Sequence, residues 1–254
     1  MLPLLAAIEC CRERVLTIAV VVPTYNELDN ISDLTHALLG LPCNLTVIVV
    51  DDNSPDGTGR AADELAARNA RVRVIHRAGK LGLGTAYIAG IREALALGAT
   101  RVMTMDADFS HHPRYIPDMV RLSDQGLHDV VIGSRYVRGG GTRNWHWQRV
   151  LLSWGANRVA KLGLGLQPND CTAGFRLYRR EVLESIELDR IFSNGYSFLL
   201  EMLFKVQRKG WTVGEVPILF ADRRRGSSKI SKMEIVKAMY TVLRLRWQGL
   251  TGRG

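Results

Sequence analysis

Short runs rich in β-branched residues alternate along the chain with helix-forming segments. Leu16–Val22 (L-T-I-A-V-V-V), Thr46–Val50 (T-V-I-V-V), Val72–Ile75, Arg101–Met105 and Asp129–Ile132 (D-V-V-I) are the runs. Most are continuously apolar rather than alternating, which suits parallel strands buried on both faces. Between them, Glu27–Leu39 spaces Leu28, Ile31, Leu34 and Leu38 as a helix does, and Thr58–Arg68 is rich in alanine. Thr85–Leu97 is built of strong helix formers, and Pro113–Gln125 follows the fourth run. This order predicts an α/β fold: a Rossmann-like, open, mostly parallel sheet with helices on both faces and right-handed crossovers.

After Gly133 the pattern changes. Gly139-Gly140-Gly141 reads as a loop, about Trp147 to Leu162 as a helix, and Gly163–Gly174 as a loop. Phe198–Lys209 then reads as a helix, Trp211–Val216 as a strand and Ser231–Trp247 as a last helix. With no repeat or low-complexity linker, the reading is an apolar extension over 1–15, one domain over 16–230 and a basic helix over 231–254.

A length of 254 residues suits one large α/β domain. The four cysteines, Cys10, Cys11, Cys43 and Cys171, have no C-x-x-C spacing and suit a reducing compartment better than a zinc site or a disulfide framework. No apolar run is long enough to span a bilayer, and the N-terminal extension lacks the basic lead of a signal peptide. Charge changes the picture more. Residues 222–254 hold nine Lys/Arg against two acids, so most of the net +9 sits there. A basic end on a near-neutral body implies an anionic partner: nucleic acid, a membrane surface or a phosphorylated substrate.

Ligands of open α/β sheets sit beyond the carboxyl ends of the strands. Here those ends read P-T-Y-N-E, D-D-N-S-P-D-G-T, D-A-D-F-S-H-H-P and G-S-R-Y. Four acids on one rim, Asp51, Asp52, Asp106 and Asp108, repel one another unless a cation lies among them. Strand alternation aims Asp106 and Asp108 to one side, and paired carboxylates suit Mg²⁺ or Mn²⁺. The competing reading is that Asp108 or Ser110 caps the helix after Pro113. His111 and His112, adjacent on an extended segment, point apart and suit packing or hydrogen bonding rather than one ion. G-K-L-G-L-G-T-A (Gly79–Ala86) is neither a dinucleotide fingerprint nor a Walker A loop, although it can present N–H groups at a helix start. On the basic side, Arg135 follows the fifth run, Arg149 and Ser153 share a helix face, and Arg223, Arg224, Arg225 and Lys229 form a cationic loop. Acids for a metal plus arginines for a phosphate point to transfer between two anionic substrates.

In this order, P-T-Y-N-E, V-D-D-N-S-P-D-G-T, M-D-A-D-F-S-H-H-P, G-S-R-Y-V-x-G-G and D-R-x-x-G-S-S-K resemble the dolichol-phosphate (polyprenol monophospho-) mannose synthases of glycosyltransferase family 2, over roughly 17–239. The resemblance implies a type-A glycosyltransferase (GT-A) fold and inverting transfer of mannose from GDP-mannose to a polyprenyl or dolichyl phosphate. It assigns Pro23, Tyr25, Glu27 and Asp52 to the nucleotide pocket. Asp106 and Asp108 then hold Mg²⁺ or Mn²⁺, with Ser110 nearby. Arg135, Arg149 and Ser153 receive the acceptor phosphate, and Arg223 and Lys229 close over the donor; Asp108, Arg135 and Arg149 carry catalysis. It also implies work at the cytoplasmic face of a membrane, by peripheral contact or through a separate anchoring subunit.

Some relatives continue into transmembrane helices where this sequence ends. Val236, Met239, Leu243 and Trp247 fall at helical spacing among Lys232, Lys237, Arg244 and Arg246, which suits either an interfacial amphipathic helix or a helix packed on the domain with a basic outer face. Two rivals stand beside the mannose reading. One is a polyprenyl-phosphate glucosyl or N-acetylhexosaminyl transferase fed by a UDP-sugar. The other is a nucleic-acid-binding module resting on the basic tail and on Trp145 and Trp147 beside Arg143 and Arg149; the metal-ready acids argue against nucleic acid.

Overall fold

The computed structural model describes residues 17–221 and 232–251. The N-terminal extension and the loop carrying Arg223 and Lys229 lie outside the described residues. In chain order the elements begin β1 (Ile18–Thr24), α1 (Leu28–Leu39), β2 (Leu45–Asp51), α2 (Thr58–Arg68), β3 (Val72–His76), α3 (Leu83–Ala96), β4 (Arg101–Thr104), α4 (Ile116–Asp124) and β5 (Val130–Ser134). They continue with β6 (Gly141–Arg143), α5 (Trp147–Leu164), β7 (Arg176–Arg179), α6 (Arg180–Ser185), α7 (Tyr196–Arg208), β8 (Val213–Pro217), β9 (Leu219–Ala221) and α8 (Lys232–Thr251).

Seven strands form one sheet in the order β3-β2-β1-β4-β7-β5-β8. All pairs are parallel except those of β7, which runs antiparallel between β4 and β5. The apolar runs that form β1, β2, β4 and β5 become buried strands, while β3 at the sheet edge is largely half-buried or exposed, and their alternating side chains feed two cores. Val20, Val22, Val47 and Val49 pack beneath α1, α2 and α4 with Ile31, Leu34 and Met119. Ala19, Val21, Ile48 and Val50 pack beneath α3 and α7 with Tyr87, Ile91, Phe198 and Leu203. This is the two-sided burial that a continuous run of β-branched residues requires. Helix α3 lies close on β1: a Cβ at Gly90 would clash with Val21 Cγ1. Gly90→Ala therefore destabilises by about 1–3 kcal/mol through overpacking, despite the gain in helix propensity. Urea unfolding of the two proteins reads the difference.

The structure adds elements that the sequence pattern did not mark. β7 (R-L-Y-R) opens on Arg176, a fully buried cation whose guanidinium donates to the carbonyls of Ala173, Leu199 and Cys171 at 2.7–2.8 Å. Its charge hides the strand from a hydropathy reading. β6 and β9, three residues each, form a separate parallel ribbon. Helix α8 packs through Thr241, Val242 and Leu245, which are buried, while Met239, Leu243 and Trp247 are exposed. It is thus both packed on the domain and apolar on its outer face.

Candidate active site

The rim at the carboxyl ends of β1, β2, β4 and β5 is built from interlocked loops. After β1, Asn26 takes a left-handed φ of 59° and its amide donates to Ser54 Oγ (3.1 Å). The amides of Glu27 and Leu28 donate to Thr58 Oγ1 (2.9 Å) and Asp56 Oδ2 (3.1 Å), and Asp56 Oδ1 also accepts from the Thr58 amide. The S-P-D-G-T portion of the second loop is therefore a brace that fixes P-T-Y-N-E. Asn30 donates to Glu27 Oε2 (2.8 Å), and Lys80 lies over the Tyr25 ring at 4.1 Å. Pro23 sits in register with Val50.

The four rim acids separate into two kinds. Asp51 accepts from Thr24 Oγ1 (3.2 Å) and from the amide and hydroxyl of Ser54. Asp52 pairs with Arg77 Nη1 at 2.7 Å; burial raises its pKa, with Arg77 pulling the other way. Protein groups thus answer both, which corrects the expectation that all four need a cation. Arg77 also donates to Gly82 O (3.4 Å) and Thr85 Oγ1 (2.6 Å), so it wires the G-K-L-G-L-G-T loop to Asp52. No sequence motif marks Arg77, since its partners come from separate segments.

Asp106 and Asp108 form the second kind. β4 ends at Thr104, so strand alternation does not set their direction as expected. Loop contacts do. Tyr87 Oη donates to Asp106 Oδ1 (3.0 Å), and the Asp106 amide donates to His111 Nδ1 (3.2 Å), which puts the imidazole proton on Nε2. Burial, then the Asp106 charge, holds the Tyr87 phenol well above its ordinary pKa, so it stays a donor. His111 stacks on Phe175 and is braced as a packed histidine. Phe109 lies at φ 61°, a region that bulky residues rarely adopt, and just beyond it Ser110 turns its amide (3.0 Å) and hydroxyl to Asp108 Oδ1. Neither Asp108 nor Ser110 caps the helix beyond, because the His112 side chain accepts from the Arg114 amide there. Ser110 is a brace for Asp108 rather than a separately presented ligand.

Among the described residues no group of three or more His, Cys, Asp or Glu gathers into a metal cage. Two carboxylates at a rim fit a different mode: Mg²⁺-type cations commonly take one or two carboxylates and complete their shell with substrate phosphates and water.

After β5, Arg135 is anchored by a buried carboxylate. Its Nε and Nη2 each donate at 2.7 Å to the two oxygens of buried Asp170, and Nη2 also reaches Thr172 Oγ1 at 2.8 Å. Burial works against both charges, but their attraction wins, holding Arg135 above and Asp170 below its ordinary pKa. Arg135 is thus one half of a buried ion pair that fixes the orientation of its guanidinium. Arg149 and Ser153 do share the α5 face expected of them: the Arg149 guanidinium stacks on Trp145 at 4.0 Å, and Ser153 Oγ accepts from Tyr136 Oη at 2.8 Å. The Trp145 indole Nε1 is buried without a hydrogen-bond partner among the described residues. Trp145 packs edge-on against Phe220, and Phe220 against His111, so one aromatic wall runs from Arg149 to the Asp106 loop. Sandwiched in this wall, Trp145 is not an open platform for stacking bases.

A family model described as glycosyl transferase family 2 matches residues 19–187. The chain belongs to glycosyl transferase family 2. The transferase is 44% identical over 235 residues to the polyprenol monophosphomannose synthase of Mycolicibacterium smegmatis, covering 92% of this chain and 87% of that one. It is 43% identical over 244 residues to the undecaprenyl-phosphate mannosyltransferase of Micrococcus luteus, covering 94% and 98%. Glucosyl-3-phosphoglycerate synthase of Mycobacterium tuberculosis, solved with Mn²⁺, UDP and glucosyl-3-phosphoglycerate, superposes with a TM-score of 0.65 at 22% identity, covering 91% of this chain and 80% of that one. That likeness concerns the fold, which is the GT-A fold: an open, mostly parallel sheet with helices on both faces.

Proposed function

We propose that this transferase moves mannose, with inversion, from GDP-mannose to a polyprenyl monophosphate such as dolichyl phosphate. The observation that carries the reading is the wall of rings, Phe220 and Trp145, that links the loop of Asp106 and Asp108 to Arg149, in a chain whose two 43–44% identical relatives are named for polyprenol or undecaprenyl-phosphate mannosylation.

Asp106 and Asp108 would hold Mg²⁺ or Mn²⁺ against the donor diphosphate, where a divalent ion supplies Lewis-acid neutralisation of the charge that builds on the leaving GDP. The chain's residues do the rest. Tyr87 and Ser110 fix the two carboxylates. Pro23, Tyr25, Glu27 and Asp52 line the nucleotide side; the assignment of Arg223 and Lys229 to the donor falls outside the described residues. The acceptor phosphate is an anion at neutral pH and needs no strong general base. The work of Arg149 and Ser153 is to bring one anion up to another and align it for in-line attack. The lipid acceptor places the reaction at a membrane surface, on its cytoplasmic face. Among the described residues Cys43 and Cys171 are free thiols, and burial pushes Cys171 up to about 12.

Turnover with undecaprenyl phosphate across GDP-mannose, UDP-glucose and UDP-GlcNAc tests the donor: GDP-mannose is expected to lead, and a faster UDP-sugar would replace it. A lost hydrogen bond to a charged group is worth about 1.5–3 kcal/mol. Arg149→Ala is therefore expected to raise the KM for polyprenyl phosphate by about ten- to a hundred-fold and leave the affinity for GDP-mannose unchanged. Separate titrations of the two substrates read this.

A further inference from the structure

The loop that follows β5 carries an aromatic side chain whose hydroxyl is directed onto helix α5. Tyr136 comes directly after Arg135, and its amide donates to Ser134 Oγ at 3.3 Å. Its ring lies 5.2 Å from the Arg135 guanidinium carbon. Its phenol donates to Ser153 Oγ at 2.8 Å. Trp145 makes a second link of this kind: the guanidinium carbon of Arg149 lies 4.0 Å from the centre of its ring and that of Arg135 5.9 Å. Arg135 comes from the loop and Arg149 and Ser153 from α5, and the two aromatic side chains join all three into one cluster.

The cluster is held from behind. Asn157 stands one turn beyond Ser153 on the same face of α5 and is buried. Its Oδ1 accepts from the Cys171 amide at 2.7 Å, and its side-chain amide donates to Asn169 O. Between those two residues lies Asp170, the carboxylate that fixes Arg135. Glu215 clamps the same loop by accepting from the amides of Asn169 (2.9 Å) and Asp170 (3.0 Å). Helix α5 and Arg135 therefore share one anchor, and α5 keeps its place when a single bond to it is lost. The direction in which Ser153 donates then depends on Tyr136. A phenol is a stronger donor than an aliphatic hydroxyl, and a serine hydroxyl has one proton and two acceptor lone pairs. With one lone pair filled by the phenol, the serine proton remains for a third group, and a hydroxyl that accepts a hydrogen bond is polarised into a better donor.

We propose that Tyr136 is a positioning residue for the acceptor: by donating to Ser153 it commits the serine's own proton to an oxygen of the acceptor phosphate monoester. The inference deepens the polyprenyl-phosphate reading and rests on its placing of the acceptor at Arg149 and Ser153. Tyr136 acts through Ser153 rather than on the phosphate itself. Without the phenol oxygen, Ser153 is free to turn its proton back to the carbonyl four residues earlier, as helical serines do. One donor to the anion is then weakened while the arginine charges stay in place.

Calorimetric titration of the full chain with farnesyl phosphate, with no sugar donor present, tests this apart from turnover. Tyr136→Phe keeps the ring beside Arg135 and removes only the hydroxyl. It is expected to weaken farnesyl phosphate binding by about three- to ten-fold, the range for one hydrogen bond, with the GDP-mannose affinity and melting temperature of the wild type. Ser153→Ala is expected to weaken it as well. Adding Tyr136→Phe to Ser153→Ala is expected to change the affinity by less than about two-fold, because the two side chains act as one unit. Equal binding by Tyr136→Phe and wild type, or losses that multiply in the double variant, would overturn the proposal. So would an equal loss of GDP-mannose affinity, which marks a packing role, or no binding of farnesyl phosphate by the wild type. If binding follows the expected pattern but no mannose reaches polyprenyl phosphate, the role of Tyr136 stands and the functional reading fails. If mannose is transferred and Tyr136→Phe binds like the wild type, the reading stands and the proposal fails.

Discussion

Asp108→Ala lowers mannose transfer by about a thousand-fold or more, even at saturating Mn²⁺, because Lewis-acid charge stabilisation of this kind is worth several kcal/mol and each 1.36 kcal/mol is a factor of ten. The side chain is 3% exposed, and its loop is held by the left-handed Phe109 and by Ser110, so no neighbouring acid can swing into its place. Asp51 and Asp52 are tied to Thr24, Ser54 and Arg77. The melting temperature is expected to stay near that of the wild type, which separates lost chemistry from lost folding. Tyr87→Phe, which removes only the donor to Asp106, gives a smaller loss through weaker metal affinity, read by Mn²⁺ titration.

Asp170→Ala costs about 3–5 kcal/mol of stability, the usual penalty for leaving a buried charge without its partner. The pair is almost inaccessible, at 8% and 0% side-chain exposure, and bidentate. Urea unfolding at neutral pH reads the loss, and the double change Arg135→Met/Asp170→Leu is expected to recover much of it, since no charge is then stranded. The same pair has a pH signature. Asp170 is held below its ordinary value in the folded chain, so its stabilisation is present in full above about 3.9, the unfolded carboxylate value, and fades as pH falls through the folded value. The wild type therefore loses stability on the acid side, and the double variant loses less of it.

These two residues also mark what was legible in the sequence. The D-A-D string, its loop chemistry and the apolar strands leading to it are local features, and local features survive in one dimension. The strands β1, β2, β4 and β5 follow from β-branched runs, and the family resemblance follows from the motifs at their ends. Asp170 lies 35 residues from Arg135, inside a stretch read as plain loop, so the sequence does not show that a carboxylate holds Arg135. Arg77 and Tyr87 were invisible for the same reason: each acts by reaching a carboxylate from another strand end. β7 was hidden by Arg176, because a cation satisfied by carbonyl groups in the core breaks every hydropathy pattern. The outward stripe of α8 could be spaced from sequence, but which side it faced depended on Val242 meeting Gly163.

A crystal of the protein grown with GDP-mannose and Mn²⁺, examined by anomalous scattering, tests the central claim most directly. The account predicts a manganese peak bridging the carboxylates of Asp106 and Asp108 and the donor diphosphate. A well-ordered nucleotide in the cleft with no ion beside those two aspartates would contradict it.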